Sequence, residues 1–494
     1  MTLAVAAAMT VASLALPTGA RGDATARVHD DGGRGAPPQR EVAKLPAAAR
    51  HHLVARESAV THARAERAAL ALRPQLGDGL ADSTTTSYDV VGVRVIQRRV
   101  TANDVVAANL YLLGGAQQVT EANAGIEPFL LEVSERGTRH YPGAKLRETM
   151  TRLGSVIVVE PGADWTMVGL RATTANFDSS WAVLADRVAA PTVDSAEVEF
   201  VRGQYASAVR QRRDSPDALV SYVADSVAFA GHPYAIETTG TEQSIAAITA
   251  ADLRRYQREQ MVTSRMLLVV VGNVDRARVE RLVGRTLATL PRGAYHWSPP
   301  PTLAPRENGG GFVVLPRALP TNYILGYYNG PPASSPDYQA LRIAAAALGG
   351  RLFAEVRSRR NLTYAVNAPF VERAVSAGGL YVTTVAPDTV IAIMRDEVGR
   401  LKRDLVDPDG LDRLVQQFIT EYFLNNETNS DQATFLARAQ LYQGDYRAAD
   451  RFVDELRRVT PADVRRVARR YMTGVSFAYL GDPSRVTPAR AGGF

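Results

Sequence analysis

Two stretches of this 494-residue chain repeat one another, and the repeat limits the fold more than any other feature. Ile248-Thr249-Ala250-Ala251-Asp252-Leu253-Arg254-Arg255 returns as Val459-Thr460-Pro461-Ala462-Asp463-Val464-Arg465-Arg466. Each copy continues through a helical stretch to Met261 or Met472. Each then enters an apolar strand, Met266 to Val271 or Ser476 to Leu480, and ends at Gly272-Asn273 or Gly481-Asp482. In both copies a Thr stands before x-x-Asp, where its side-chain oxygen can satisfy a free N–H at the start of a helix. The copies lie 211 residues apart (248 to 459). That is too far for a solenoid unit and about the size of a duplicated domain. The chain therefore reads as α+β, with two homologous α/β domains at 86–292 and 310–488. A linker at 293–309, carrying Pro299, Pro300, Pro301 and Pro305, joins them.

Local patterns fill in the halves. Val91, Val93 and Val95 alternate with Gly92 and Arg94 as a strand does, and Val105 to Leu113 reads as a more continuously apolar strand. Lys145–Leu153, Ser180–Val188, Ser195–Arg213 and Asp217–Ala230 read as helices, the third opened by Asp194 or Ser195. Ser155–Val158 and Trp165–Ala172 read as strands, as do Phe312–Leu315 and Tyr323–Tyr328 in the second half. Ahead of these, residues 23–85 are linker-like, with Gly32-Gly33, Gly35 and Pro37-Pro38, and an Ala/Arg-rich stretch from Ala47 to Leu72 fit for a solvated helix.

The uncharged, largely apolar run Leu3–Leu16, followed by Pro17, Gly19 and Ala20, is too short to span a bilayer. It fits the apolar core of a secretory signal at 1–22, although a positive start is missing. Export to a periplasmic or extracellular space is the expectation, against a fortuitous Ala/Val-rich start. No transmembrane helix is expected.

Composition narrows the chemistry. The chain has no cysteine and seven histidines, of which His29, His51, His52 and His62 lie ahead of the folded part. Only His140, His232 and His296 remain in the body, far apart in sequence. Disulfides, thiolate metal sites and cysteine nucleophiles are excluded, and a histidine metal site has almost no stock to draw on. The net charge of +6 comes from arginines scattered among acids, without the basic, aromatic-interleaved patches of a nucleic-acid binder. No Gly-x-Ser-x-Gly elbow, phosphate loop or dinucleotide fingerprint is present.

Several motifs then fall in order. Gly231-His232-Pro233-Tyr234 is followed by Gly240, Ile245 and the first repeat, and Val269–Asp275 forms an apolar strand end. Leu348-Gly349-Gly350-Arg351-Leu352-Phe353 precedes Arg357, Leu362 and Tyr364. This series resembles the pitrilysin/insulinase family of zinc peptidases across essentially everything after residue 85. The resemblance implies paired α+β domains and, in peptidase members, an inverted His-x-x-Glu-His helix that binds zinc with a later glutamate.

Here the matching segment is Ala124–Val133, with Gly137-Thr138 following as in the family. The two histidine positions hold Pro128 and Glu132, the base position holds Leu131, and the late glutamate falls at Ser207 or Ala208. Pro and Leu offer a metal no lone pair, so no zinc or other cofactor of this chain's own is expected. Glu127 and Glu135 read as a solvated helix face rather than an oxygen-rich site.

The resemblance implies that Arg357 and Tyr364, seven residues apart, hold substrate backbone and assist an oxyanion. The expectation is an exported, non-catalytic subunit of a heterodimeric zinc peptidase. It would be inactive alone, and would supply chamber wall and the substrate-binding Arg357 and Tyr364 to a zinc-bearing homologous partner acting on peptides. The alternative is an inactive peptide-binding or scaffold protein of the same fold.

Overall fold

The computed structural model describes residues 85–307, 310–491 and 494, so the signal, linker-like and Ala47–Leu72 readings lie outside the described residues. The first half runs β1 Thr85–Val90, β2 Val93–Arg99, β3 Val105–Leu113, α1 Ile126–Ser134 and α2 Ala144–Leu153. It continues through β4 Val156–Pro161, β5 Trp165–Thr173, α3 Phe177–Ala189, α4 Ser195–Asp214 and α5 Pro216–Ala228. It closes with α6 Glu242–Ala247, α7 Ala250–Gln260, β6 Met266–Gly272 and α8 Arg276–Thr286. The second half opens with β7 Phe312–Pro316, β8 Asn322–Pro332, α9 Asp337–Leu352, β9 Thr363–Asn367, β10 Phe370–Val371 and β11 Val375–Thr384. Helices α10 Pro387–Arg403, α11 Pro408–Leu424, α12 Asn429–Gln443, α13 Ala448–Arg457 and α14 Pro461–Tyr471 lead to β12 Ser476–Gly481. Among these, no helix is long and apolar enough to cross a membrane.

Two six-stranded sheets result, ordered β1-β2-β6-β3-β5-β4 and β10-β11-β8-β12-β7, with β9 also paired to β11. Their centres match. β6 runs parallel to β2 and antiparallel to β3, and β12 runs parallel to β7 and antiparallel to β8. The repeated sequences therefore build the same central strand twice, each time behind the same helix.

Those helices start alike for a local reason. The Thr249 hydroxyl accepts from the Asp252 N–H at 3.2 Å and Asp252 accepts from the Thr249 N–H at 2.9 Å. Thr460 and Asp463 do the same at 3.2 and 3.1 Å, giving two capping boxes. Asp194 caps α4, so Ser195 is its first residue.

The alternation at Val91, Val93 and Val95 is not one strand. Val91 and Gly92 take φ of 47° and 87°, a two-residue hairpin turn that pairs Val90 with Val93. Strand β2 begins after it, with Val93 and Val95 fully buried.

One face of each sheet packs on helices of its own half. The first core holds Leu110, Phe129, Leu130, Trp181, Leu184 and Leu268, and the second holds Leu341, Leu348, Val390, Met394, Val467 and Tyr479. The opposite faces are covered crosswise. Leu219, Val220 and Val223 of α5 lie on Leu325, Tyr327, Ala478 and Leu480 of the second sheet. Ala433, Leu436 and Ala437 of α12 lie on Tyr111, Leu267, Val269 and Val271 of the first. Burial on both faces is why the central strands read as continuous apolar runs.

Candidate functional site

Helix α1 carries the positions where the resemblance places metal ligands. Pro128 and Leu131 are buried and Glu132 is half-buried. Residues four apart share a helix face, so Pro128 and Glu132 stand where two imidazoles would have converged. On that side the Phe129 ring stacks on Tyr205 of α4, centroids 5.9 Å apart and nearly parallel, with the Arg202 guanidinium 5.5 Å above Phe129. Ser207 donates back to the Gly203 carbonyl of its own helix at 2.9 Å, and Ala208 is exposed.

A cation reaches this helix from α3. The buried Arg187 donates to the Ser134 hydroxyl at 3.1 Å and the Leu131 carbonyl at 3.0 Å, and stands 3.5 Å from Glu135. Burial raises the Glu132 carboxyl above its ordinary value, repulsion from Glu135 adds to this, and Arg187 opposes both.

Glu127 is not on a solvated face. It is buried, paired with the buried Arg265 at 2.9 Å, and accepts from the Tyr256 hydroxyl at 2.9 Å. Glu127 thus departs from the solvated face expected, whereas the Glu135 side chain stays 47% exposed while facing Arg187. Among the described residues no group of three or more histidines or acids is placed to hold a metal ion. The donor set present, one half-buried carboxylate beside a proline, a leucine and a guanidinium, does not fit zinc.

His232 serves its loop. Its Nδ1 accepts from the Tyr234 N–H at 3.2 Å, which assigns the proton to Nε2, 2.9 Å from the Pro301 carbonyl. Tyr234 itself reaches the seam between the halves. Its hydroxyl donates to buried Asp164 at 2.5 Å. Asp164 also accepts from the Tyr442 hydroxyl at 2.7 Å and the Ala374 N–H at 2.9 Å. A cavity of about 350 Å³ adjoins this carboxylate. Two guanidiniums on its wall are engaged, Arg373 with Asp225 at 3.0 Å and Arg438 with Glu372 at 2.7 Å.

Arg357 and Tyr364 do come together. Helix α9 runs straight through Gly349 and Gly350, so no loop precedes Arg351. It widens into a π-helical turn at Phe353–Arg359. Asn361 then adopts φ 52°, its N–H bonded to the Arg357 carbonyl at 3.1 Å, and β9 starts two residues later. This reversal lays Tyr364 beside Arg357, the guanidinium carbon 4.9 Å from the ring centroid. The Phe353 ring lies 5.0 Å from the same guanidinium carbon. Tyr364 is 83% exposed and Phe353 45%.

Two neighbouring arginines, Arg359 and Arg360, are committed to Glu355. Glu355 binds Arg359 at 2.6 Å and also Arg360, and Arg351 faces Glu397 at 3.9 Å. Arg357 has no ion pair or hydrogen bond among the described residues, so its N–H fork is available to a ligand.

Sequence reading treated Phe353 only as part of a signature, although an aromatic four residues before an arginine on one helix is itself a contact signal. It missed Arg187, whose only sign was a charge within the apolar run Trp181–Val188.

Residues 94–242 match the family described as Insulinase (Peptidase family M16), and residues 247–418 match the one described as Peptidase M16 inactive domain. The chain belongs to the insulinase family. An uncharacterized zinc protease of Streptomyces coelicolor is 23% identical over 392 residues, spanning 76% of this chain and 85% of that relative. Human mitochondrial cytochrome b-c1 complex subunit 1 is 24% identical over 259 residues, 52% of this chain and 54% of the subunit. The crystal structure of a peptidase M16 inactive domain from Pseudomonas fluorescens shares the fold at a TM-score of 0.73 and 18% identity, covering 82% of this chain and 99% of that one. Within the insulinase family, then, this chain has the paired sheets, sets Arg357 beside Tyr364, and carries Pro128, Leu131 and Glu132 on α1.

Proposed function

We propose that this chain is the exported, metal-free subunit of a two-chain zinc peptidase. It closes against a homologous partner that carries the zinc ligands, and contributes chamber wall together with Arg357 and Tyr364 for gripping peptide substrate. One observation carries the reading. The helix where the resemblance places zinc ligands carries Pro128, Leu131 and Glu132 with Arg187 bonded to it, while the second half presents an uncommitted guanidinium beside an exposed phenol. A guanidinium offers a planar fork to a carbonyl or carboxylate, and Tyr adds a single aimed hydroxyl. The apolar run Leu3–Leu16 supports export. Zinc, when bound by the partner, supplies the Lewis acid; this chain's own part is to hold and orient the peptide.

The test is co-expression with a zinc-bearing homologue, with peptide cleavage and metal content measured on the chain alone and on the complex. The chain alone should neither cleave nor carry stoichiometric zinc, and the complex should do both. Arg357→Ala should lower kcat/KM of the complex by about 10²-fold, the scale of losing one oriented donor. Failure to form a complex, or a fully active Arg357→Ala complex, overturns the reading.

A second reading has its own support. Strand β4 ends the first sheet with an unpaired, largely apolar edge, Val156-Ile157-Val158-Val159, to which an extended peptide can add as a strand. A relative named as subunit 1 of the mitochondrial cytochrome b-c1 complex is in keeping with a place for the fold within a larger assembly. A peptide-binding or scaffold protein of this kind leaves both Arg357→Ala and Tyr364→Phe silent.

A further inference from the structure

We propose that Phe353 is a positioning residue for Arg357. In this view Phe353, Arg357 and Tyr364 act as one clamp that presents the edge of the guanidinium to a planar acceptor, a peptide carbonyl or carboxylate. The ligand rests on the reading above; the clamp rests on geometry alone.

The guanidinium carbon lies 5.0 Å from the Phe353 ring and 4.9 Å from the Tyr364 ring. Both distances fall inside the range, about 6 Å, over which a ring face attracts a cation. Phe353 and Arg357 are four residues apart on one turn, so their side chains meet without distortion. Tyr364 is brought to the same guanidinium by the chain reversal at Asn361.

Two rings within reach of one cation restrain a long, rotamer-rich side chain. Its N–H donors make no hydrogen bond among the described residues, so the fork that recognises flat acceptors stays open. Neighbouring charge is arranged to leave it so. Glu355 takes Arg359 and Arg360, and Glu397 faces Arg351. Phe353 is 45% exposed and belongs to none of the buried cores. A large apolar ring at that exposure is unexplained by core packing, and its contact with Arg357 accounts for it.

The test has two arms. The first uses the full chain alone, with 15N-labelled arginine. The Arg357 Nε–Hε resonance, assigned by its loss in Arg357→Ala, should be displaced upfield by the rings. It should move toward the position of a free arginine in Phe353→Leu and stay in Phe353→Tyr. An undisplaced resonance in the natural chain, or one unmoved by Phe353→Leu, overturns the clamp.

The second arm uses the complex with a zinc-bearing homologue. Phe353→Leu should lower kcat/KM about two- to five-fold, the scale of one exposed cation–π contact. Phe353→Tyr should restore it, and Phe353→Leu added to Arg357→Ala should cost nothing more. If Arg357→Ala impairs the complex but Phe353→Leu does not, the positioning role is wrong and the proposed function stands. If Arg357→Ala is silent, the proposed function falls and the clamp is judged by the first arm.

Discussion

Glu132 stands half-buried on the α1 face where the resemblance places a metal ligand, between Glu135 and Arg187. Its carboxyl is held above the ordinary value of 4.5, first by burial and then by Glu135, with Arg187 pulling the other way. A group whose folded value is raised stabilises the fold fully below its unfolded value, and that contribution is lost as pH rises through the folded value. At neutral pH the ionised Glu132 therefore works against folding. Glu132→Gln should make the protein more stable than the natural chain at pH 7. The gain should shrink as pH falls toward 4, as read from urea unfolding at both pH values. A gain that does not change with pH would mean the carboxylate is not the source.

That Pro128, Leu131 and Glu132 share one helix face was legible in sequence because spacing on a helix is a local property. Arg187 was not. It sits on another helix, and nothing in the spacing of charges reveals which buried carbonyl a guanidinium will reach.

Among the elements, α9 departs most from its sequence. Gly349-Gly350 signals a break, since glycine in a helix interior costs about 0.5–1 kcal/mol relative to alanine. The helix nevertheless continues, with Ala344, Ala345, Leu348 and Leu352 buried against the second sheet and its covering helices. Tertiary burial outweighs the local propensity. A Cβ at Gly350 would meet no atom within 4 Å, whereas one at Gly349 would lie 3.2 Å from the Asn367 side chain. Gly350→Ala is accordingly expected to stabilise the protein by about 0.5–1 kcal/mol, and Gly349→Ala by less. Chemical denaturation of both variants measures this, and a destabilised Gly350→Ala would show that the segment needs glycine's freedom. The paired capping boxes at Thr249 and Thr460 were readable because a cap is written in four consecutive residues. The turn at Val91-Gly92 was misread because a valine at positive φ is rare, and strand alternation gave a simpler account of the same letters.

At the scale of the molecule, the halves are duplicated but not self-sufficient. Each sheet completes its second face with a helix from the other half, α5 on the second sheet and α12 on the first. The apolar stripe of α5 was visible in the sequence; its partner was not, because periodicity shows that a face is buried and never against what. Asp164, taking donors from Tyr234, Tyr442 and Ala374, ties the seam with polar bonds as well. Removing α5 would bare Leu325, Tyr327, Ala377, Ala478 and Leu480 together. At about 1.5–3 kcal/mol for each large apolar side chain, the loss is on the order of 10 kcal/mol. That is comparable with the whole stability of an ordinary domain. A fragment of residues 310–494 expressed alone should therefore be insoluble or partly folded. Co-expressed with residues 85–307, it should be recovered as a soluble non-covalent pair, and the intact chain should unfold in one transition by near-UV and far-UV circular dichroism alike. A 310–494 fragment that unfolds cooperatively by itself would show that the crossed helices are an accessory to two independent domains, and that the seam closes after each half has already folded.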